Sequence, residues 1–248
     1  MKWKFCIKDV NYNGINCNFL FHACKAGNVT VARILLERGA VLRLNYSYHL
    51  GYLSPLRTAA ELGHVDVVEL LLSWNADAIH VPQDEVGISI ACASESGHIA
   101  VVRRLVEYGA DADAFTYALY KVVEGNYVAE YLLDHGADYN ASSTYHASPW
   151  VHACHEGSPA MVRLLLDRGA DPNLAHTTTG ETLLMRAALK CRIDVTRLLL
   201  EYGAGVTQVD LEGKSVLDML GHEKYTEVRE LCSLYINSNK PGAAPVLK

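Results

Sequence analysis

Residues 54–77 read SPLRTAAELGHVDVVELLLSWNAD and contain two helical patterns separated by a Gly-His pair. Ser54 is a residue type that caps helix N-termini, and Pro55 suits the first helical position, where no backbone N–H is needed. After Gly63, the apolar residues recur with the spacing of one helical face: Val65, Val68, Leu71 and Leu72. The stretch therefore predicts two short helices joined by a tight turn.

The same pattern returns along the chain with a period near 33 residues. A Gly-Ala or Asn-Ala pair closes each copy and begins at Gly39, Asn75, Gly109, Gly136, Gly169 and Gly203, at intervals of 36, 34, 27, 33 and 34. A second position recurs with a similar period on the N-terminal side of each pair, at Gly27, Gly63, Gly97, Gly125, Gly157 and Cys191. Sustained periodicity of this length is typical of repeat architectures.

Composition limits the classes of protein that the chain can represent. Half of its 248 residues are hydrophobic, which excludes a disordered chain, and the net charge of −6 disfavours a nucleic-acid binder. No apolar run reaches the ~20 residues that a membrane span needs, and no signal peptide is recognisable. Seven cysteines without metal-type spacing indicate reduced thiols. We expect a monomeric protein in the cytoplasm or nucleus, with no nucleic-acid partner and no membrane insertion.

The repeated motif resembles the ankyrin repeat, whose consensus reads T-P-L-H-x-A-A-x-x-G-H, then an apolar helix, then G-A-D-x-N. The stretches 54–77 and 148–173 match it most closely, and the resemblance covers residues 14–236. It implies an all-α repeat solenoid in a single elongated domain, built from helix-turn-helix units with β-hairpin fingers. It also implies a concave face of inner helices and fingers that binds another protein.

We predict a short N-terminal segment (1–13), a repeat domain (14–236) and a disordered tail (237–248). Within the domain we predict seven repeats, the last a capping repeat, at 14–42, 51–78, 86–112, 115–140, 146–175, 180–206 and 213–236.

Two departures from the consensus lead to expectations about stability and about the fourth repeat. The consensus His that links neighbouring repeats is replaced throughout, so we expect stability to depend more on apolar packing. The fourth repeat lacks about five finger residues, which predicts that no hairpin precedes it. Phe115, Tyr117 and Tyr120 would then reach the groove surface or pack across the gap.

No pattern of catalysis or metal binding emerges. His152 and His155 share a helical face but supply only two ligands, fewer than zinc requires, while Cys154 points elsewhere. Gly213-Lys214-Ser215 lacks the preceding glycine of a phosphate loop. We therefore predict no catalytic residue, no metal and no cofactor, and a chain that is not an enzyme.

Partner specificity is expected at exposed inner-helix ends and at finger positions before the inner helices. Over these positions ten residues are acidic and three are basic, which favours a basic partner segment lying across repeats two to five; ordinary solvated positions are the alternative. The candidate contact residues are Glu61, Asp84, Glu85, Glu95, Phe115, Glu124, Tyr145, His155, Glu156, Glu181 and Lys190.

The sequence thus predicts a non-enzymatic protein-interaction module. The alternatives are a substrate-recruiting adaptor of a ubiquitin-ligase assembly, a tethering fragment of a larger enzyme or channel, and a secreted effector. Asn140 and Asn173 resemble the finger asparagines that asparaginyl hydroxylases modify in ankyrin repeats.

Overall fold

The computed structural model of the protein describes residues 19–40, 54–75, 83–122, 127–141 and 148–238. Segment 1–13, Glu124, Tyr145 and the tail from residue 239 lie outside the described residues, as does the side chain of Asp84. The chain groups into two compact units, unit 1 (Met1–Val122 and Tyr127–Asp138) and unit 2 (Val123–Asn126 and Tyr139–Lys248). That the repeats form one domain stays a prediction.

Unit 1 is built from helix pairs arranged in two layers. The inner helices α1, α3, α5 and α7 pack side by side, and the outer helices α2, α4, α6 and α8 form the second layer. Their bounds are α1 Phe19–Lys25, α2 Val29–Glu37, α3 Pro55–Glu61, α4 Val65–Asn75, α5 Gln83–Glu95, α6 Ile99–Glu107, α7 Ala112–Lys121 and α8 Tyr127–Asp134.

Unit 2 repeats the same arrangement. Helices α9, α11 and α13 form its inner layer, while α10, α12 and α14 form its outer layer. The bounds are α9 Pro149–Glu156, α10 Pro159–Asp167, α11 Leu183–Leu189, α12 Ile193–Glu201, α13 Val216–Met219 and α14 Thr226–Ser238, with a 3₁₀ turn at Glu223–Tyr225. The prediction of an all-α repeat fold is confirmed.

The inner helices start where their capping residues predict. The hydroxyl of Ser54 accepts a hydrogen bond from the backbone N–H of Arg57, and Ser148 accepts one from Val151, each at 3.3 Å. A proline follows each of these serines in the first turn of α3 and α9. Both caps satisfy an N–H group that has no partner within its helix.

A residue in the left-handed conformation closes the turn from inner to outer helix. Gly63 has φ +75° and Gly157 has φ +81°, a region that favours glycine. Cys191 occupies the equivalent position after α11 with φ +53° and is the single non-glycine residue with positive φ among the described residues. Its conformation is therefore strained for a residue with a side chain.

The fingers differ between the repeats. In unit 2 the connections to α11 and α13 are narrow hairpins, each marked by one antiparallel bridge, Ala175 with Thr182 and Val209 with Ser215. Ahead of α7 the chain forms no hairpin, because Asp111 already caps the helix by accepting a hydrogen bond from Ala114 N–H at 2.9 Å. The predicted loss of the hairpin before repeat four is confirmed.

Two candidate finger positions belong to a helix instead. Helix α5 begins at Gln83 and has 13 residues, whereas α3 has seven. Asp84 and Glu85 therefore lie in the first turn of α5, so the prediction that they form a finger is wrong. Acidic residues suit a first helical turn, because the backbone dipoles there are positive.

Candidate partner-binding surface

The inner face of unit 1 carries two carboxylates at equivalent positions of adjacent helices. Glu61 is the last residue of α3, and Glu95 is the last residue of α5. Both are exposed, and neither has a hydrogen-bond or ion-pair partner among the described residues. Since α3 and α5 pack side by side, the two residues stand at equivalent positions of adjacent helices, whose axes are about 10 Å apart. They form an acidic pair open to a ligand.

Helix α5 presents a continuous stripe toward the same face. Glu85, Ile88, Cys92 and Glu95 are spaced by three, four and three residues, so they line one side of the helix. Ile88 is an exposed large apolar side chain, while Glu85 accepts a hydrogen bond from the hydroxyl of Ser54. The stripe therefore places an apolar centre between two acidic ends.

Helix α7 adds aromatic side chains beside this stripe. Tyr117 and Tyr120 are half-buried, and Asp113 in the first turn of α7 is exposed. In the repeat register Tyr120 is equivalent to Cys92, and Asp113 to Glu85, on the neighbouring helix α5. The aromatic surface of unit 1 therefore lies next to its acidic surface.

Phe115 does not belong to this surface. It is 6% exposed and packs into the core of unit 1, so of the two expectations for Phe115 the one that it reaches the groove surface is wrong. Helix α7 starts at Ala112, and residues 114, 115, 118 and 119 form its buried side. Because α7 replaces a finger, Phe115 occupies a helical core position rather than a loop.

Two carboxylates on the inner face of unit 2 are already paired. Glu156 lies 3.0 Å from Nδ1 of His155, and Glu181 lies 3.4 Å from a guanidinium nitrogen of Arg186. The hydrogen bond from His155 lowers the pKa of Glu156 from its ordinary value of 4.5. Lys190, which follows the last residue of α11, is exposed. Glu156 and Glu181 are therefore less available to a ligand than Glu61 and Glu95.

Two residues that directly follow the turn from inner to outer helix contact the preceding repeat. A ring nitrogen of His64, Nε2, lies 3.1 Å from the carbonyl oxygen of Lys25 at the end of α1. In unit 2 the Nε of Arg192 donates to the carbonyl of His155 at 3.2 Å. Each follows the turn residue, and each satisfies a helix-end carbonyl of the preceding repeat. The recurring Gly-His pair was a sequence signal for the contact of His64, whereas no sequence pattern indicated the contact of Arg192.

Finger residues also link repeats within unit 2. The side chain of Asn173 accepts a hydrogen bond from Gly205 N–H at 2.8 Å and donates one to the carbonyl of Gly203 at 3.3 Å. Trp150 is fully buried, and its indole N–H donates to the carbonyl of Asp171 at 3.1 Å. Hydroxylation of Asn173 stays a prediction.

The arrangement is suited to surface complementarity. Among the described residues no group of three His, Cys, Asp or Glu side chains converges to hold a metal ion. No helix in the described part of the chain is long and apolar enough to cross a bilayer. The exposed polar and aromatic side chains stand on rigid packed helices, which is how a binding surface is held in place.

Stacked helix pairs with short fingers and an exposed inner face define the class of repeat proteins that bind other proteins. The family model described as "Ankyrin repeats (3 copies)" matches residues 3–81 and 142–210, which together are more than half of the chain. The chain belongs to the ankyrin repeat family, and ankyrin repeats are protein–protein interaction modules.

Similar proteins include much larger ones. The ankyrin repeat and KH domain-containing protein mask-1 of Caenorhabditis elegans is 31% identical over 195 residues, covering 76% of this chain and 7% of that protein. The human ankyrin repeat and MYND domain-containing protein 1 is 31% identical over 190 residues, covering 68% of this chain and 20% of that protein. The chain thus spans a small part of these relatives.

Solved structures agree on the fold. The human ASB11 ankyrin repeat domain superposes with a TM-score of 0.69 at 25% identity, covering 90% of this chain and 99% of that structure. The ankyrin repeat domain of Bcl-3 has a TM-score of 0.67 at 22% identity, with coverages of 88% and 99%.

Proposed function

We propose that this protein binds a basic segment of a partner protein on the inner face of unit 1. The observation that carries the proposal is the acidic pair of Glu61 and Glu95, which are exposed and unpaired among the described residues. A carboxylate without an internal partner gains a new ion pair on binding without losing an old one.

The local ion pairs favour unit 1 over unit 2 as the site of a basic ligand. In unit 2, a cationic ligand would compete with His155 for Glu156 and with Arg186 for Glu181. In unit 1 it would meet free carboxylates beside Ile88 and the tyrosines of α7. The proposed surface is thus narrower than the span across repeats two to five that the charge count favours.

The charges and the apolar side chains of this surface have different effects on binding. Exposed ion pairs contribute about 0–1 kcal/mol each and mainly accelerate association. Buried aromatic and apolar contacts usually provide most of the affinity. We therefore expect a ligand with basic residues one helix spacing apart and an apolar side chain that covers Ile88 and approaches Tyr120.

An array of synthetic peptides that carry paired Arg or Lys residues around a central Leu or Phe provides defined ligands for the test. Peptides that bind are then titrated by fluorescence polarisation against wild type and the double variant E61K/E95K. We expect the variant to associate at least about tenfold more slowly at low salt and to lose most of the salt dependence.

The matched control is E156K, a charge reversal at the equivalent end of α9 in unit 2. It leaves the acidic pair intact, so its association rate should stay close to that of wild type. Circular dichroism and urea denaturation check that each variant keeps its fold. Equal weakening by E61K/E95K and by E156K would point to a general charge effect and would contradict the proposed surface.

A second function is favoured by the relatives. The two large proteins combine ankyrin repeats with a KH or a MYND domain according to their names. We propose as the alternative that these repeats act as the recruiting region of a larger polypeptide. Mass spectrometry of the endogenous protein tests this, because an intact mass above 27.3 kDa supports it and a mass equal to that of the chain argues against it.

A further inference from the structure

The acidic pair and the exposed stripe of α5 define the spacing that a ligand of unit 1 must have. Glu61 and Glu95 end the adjacent helices α3 and α5, whose axes are about 10 Å apart. Along α5, Cys92 and Ile88 precede Glu95 by three and seven residues, which is about 4.5 Å and about 10 Å. A ligand therefore needs two basic residues about 10 Å apart, with an apolar side chain to one side of the line between them.

An α-helix that crosses α3 and α5 meets this requirement. Residues seven positions apart in a helix are separated by about 10.5 Å along the axis and by about 20° around it, so both face the same side. The residues three and four positions after the first one lie about 60° to one side of it and about 40° to the other. One of these two therefore faces Ile88 and Cys92, whichever way the helix runs.

Extended segments do not match this spacing. In a β-strand about 10 Å corresponds to three residues, and side chains three residues apart point to opposite faces. In a polyproline II helix, residues three positions apart share a face at about 9 Å, but the two residues between them point about 120° away. Neither conformation places two basic side chains and an intervening apolar side chain on one side at this spacing.

The surface beside α5 has room for a helix, which is about 10–12 Å wide with its side chains. The hairpins that precede α11 and α13 in unit 2 have no counterpart before α7, where Asp111 caps the helix directly. The inner side of α5 is therefore bordered by the half-buried side chains of Tyr117 and Tyr120 rather than by a projecting finger. These aromatic side chains add apolar surface that a bulky ligand can cover.

We propose that the basic segment of the partner binds as an amphipathic α-helix across α3 and α5. Its pattern is a basic residue, two positions of any type, two apolar residues, two positions of any type and a second basic residue. The basic residues face Glu61 and Glu95, and one apolar residue covers Ile88 and Cys92. This inference rests on the proposed function, because it concerns the same surface, and it adds the conformation and the spacing of the ligand.

The first test compares three peptides of equal composition and about 16 residues, a length at which a free helix is marginal. Each has two arginines around a Leu-Leu pair, with the arginines seven, five or three positions apart. Fluorescence polarisation should give the seven-position spacing a Kd at least about fivefold lower, since the other spacings move one arginine away from its carboxylate. Equal Kd values for the three spacings, or the lowest Kd for three positions, would overturn the proposal.

The second test breaks the helix without removing a contact. In the peptide with the seven-position spacing, the residue after the second leucine faces away from the protein, about 140° from the first arginine. Proline at this position should raise the Kd about tenfold or more relative to alanine, because proline interrupts a helix but fits an extended chain. The proposal fails if the two peptides bind equally.

Thiol protection reports where the apolar side of the ligand lies. Cys92 is half-buried on α5, whereas Cys191 is exposed in unit 2 and serves as the reference. A saturating amount of the peptide should slow the reaction of Cys92 with N-ethylmaleimide at least about fivefold and leave that of Cys191 unchanged. Mass spectrometry of the digested protein measures both rates. Labelling of Cys92 that does not change with the peptide would also overturn the proposal.

The variant E61K/E95K separates this inference from the proposed function. If the surface is correct and the helix is not, the double variant weakens all three peptides, yet spacing and proline have no effect. That result overturns the helix alone. If the double variant leaves the binding of every peptide unchanged, the proposed function fails, and this inference fails with it.

Discussion

Replacing Cys191 by glycine should stabilise the protein. Cys191 closes the turn between α11 and α12 at φ +53°, where four of the earlier repeats have glycine at φ +66° to +81°. A side chain in this left-handed region costs about 1–2 kcal/mol. Because Cys191 is exposed, its replacement removes little buried surface.

The expected gain is smaller than the strain that is relieved. Glycine makes the unfolded chain more flexible, which costs about 0.5–1 kcal/mol. The contact of the Cys191 thiol with the carbonyl of Lys224, at 3.9 Å, is long and weak. The difference leaves about 0.5–1 kcal/mol of added stability, or about 1–4 °C in Tm for a chain of this size.

The assay is urea denaturation followed by far-UV circular dichroism, with a reducing agent present so that thiol oxidation does not contribute. Cys191→Ala is the matched control, because it removes the thiol but keeps a Cβ in the left-handed region. It should stay within about 0.3 kcal/mol of wild type, and Cys191→Asn should lie between Ala and Gly, since Asn tolerates this conformation. Equal stabilisation by Ala and Gly would show that backbone strain is not the cause.

Three further predictions concern a turn, the thiols and an ion pair. Gly63→Ala should destabilise by about 1–3 kcal/mol in urea denaturation, because φ is +75° and the new Cβ would lie 2.7 Å from Nδ1 of His98; a loss below 0.5 kcal/mol would contradict this. Ellman's reagent should label Cys191 in the folded protein, whereas the buried thiols of Cys24, Cys154 and Cys232 should react only on unfolding. Burial raises the pKa of all three thiols, that of Cys24 to about 12 and that of Cys232 to about 11. Glu156→Gln should lower the urea midpoint at pH 7. The difference from wild type should disappear as the pH falls below 4.5, because a carboxylate with a lowered pKa stabilises the folded state only while it is ionised. A difference that is constant with pH would contradict the ion pair with His155.

The backbone could be predicted from the sequence to a large extent. The Ser-Pro pairs at 54–55 and 148–149 mark the starts of α3 and α9, and a short interval between two recurring Gly-Ala pairs marks the missing finger before α7. These signals are local, since a cap, a turn glycine or a deleted hairpin depends on residues close in the chain. For this reason the periodic pattern and the structure agree on them.

The side-chain environment could be predicted less well, because it depends on how the helices pack. Phe115 looks like a finger residue in the repeat register, yet the start of α7 at Ala112 places it on the buried side of a helix. Asp84 and Glu85 likewise look like finger residues, and the extension of α5 makes them helical. In both cases a helix includes residues that the repeat register assigns to a connection, which changes the direction in which each side chain points.

Charge counting has a related limit, because it treats every carboxylate as equally available. Glu61, Glu95 and Glu156 end inner helices in three repeats and contribute the same formal charge. Only the structure distinguishes them, since Glu156 is paired with His155 within α9, while neither of the other two forms an ion pair with a described cation. A ligand gains most from charges that the folded protein has left unpaired. If unit 1 binds a basic segment as proposed, the specificity of this surface therefore depends on its unpaired carboxylates, Glu61 and Glu95.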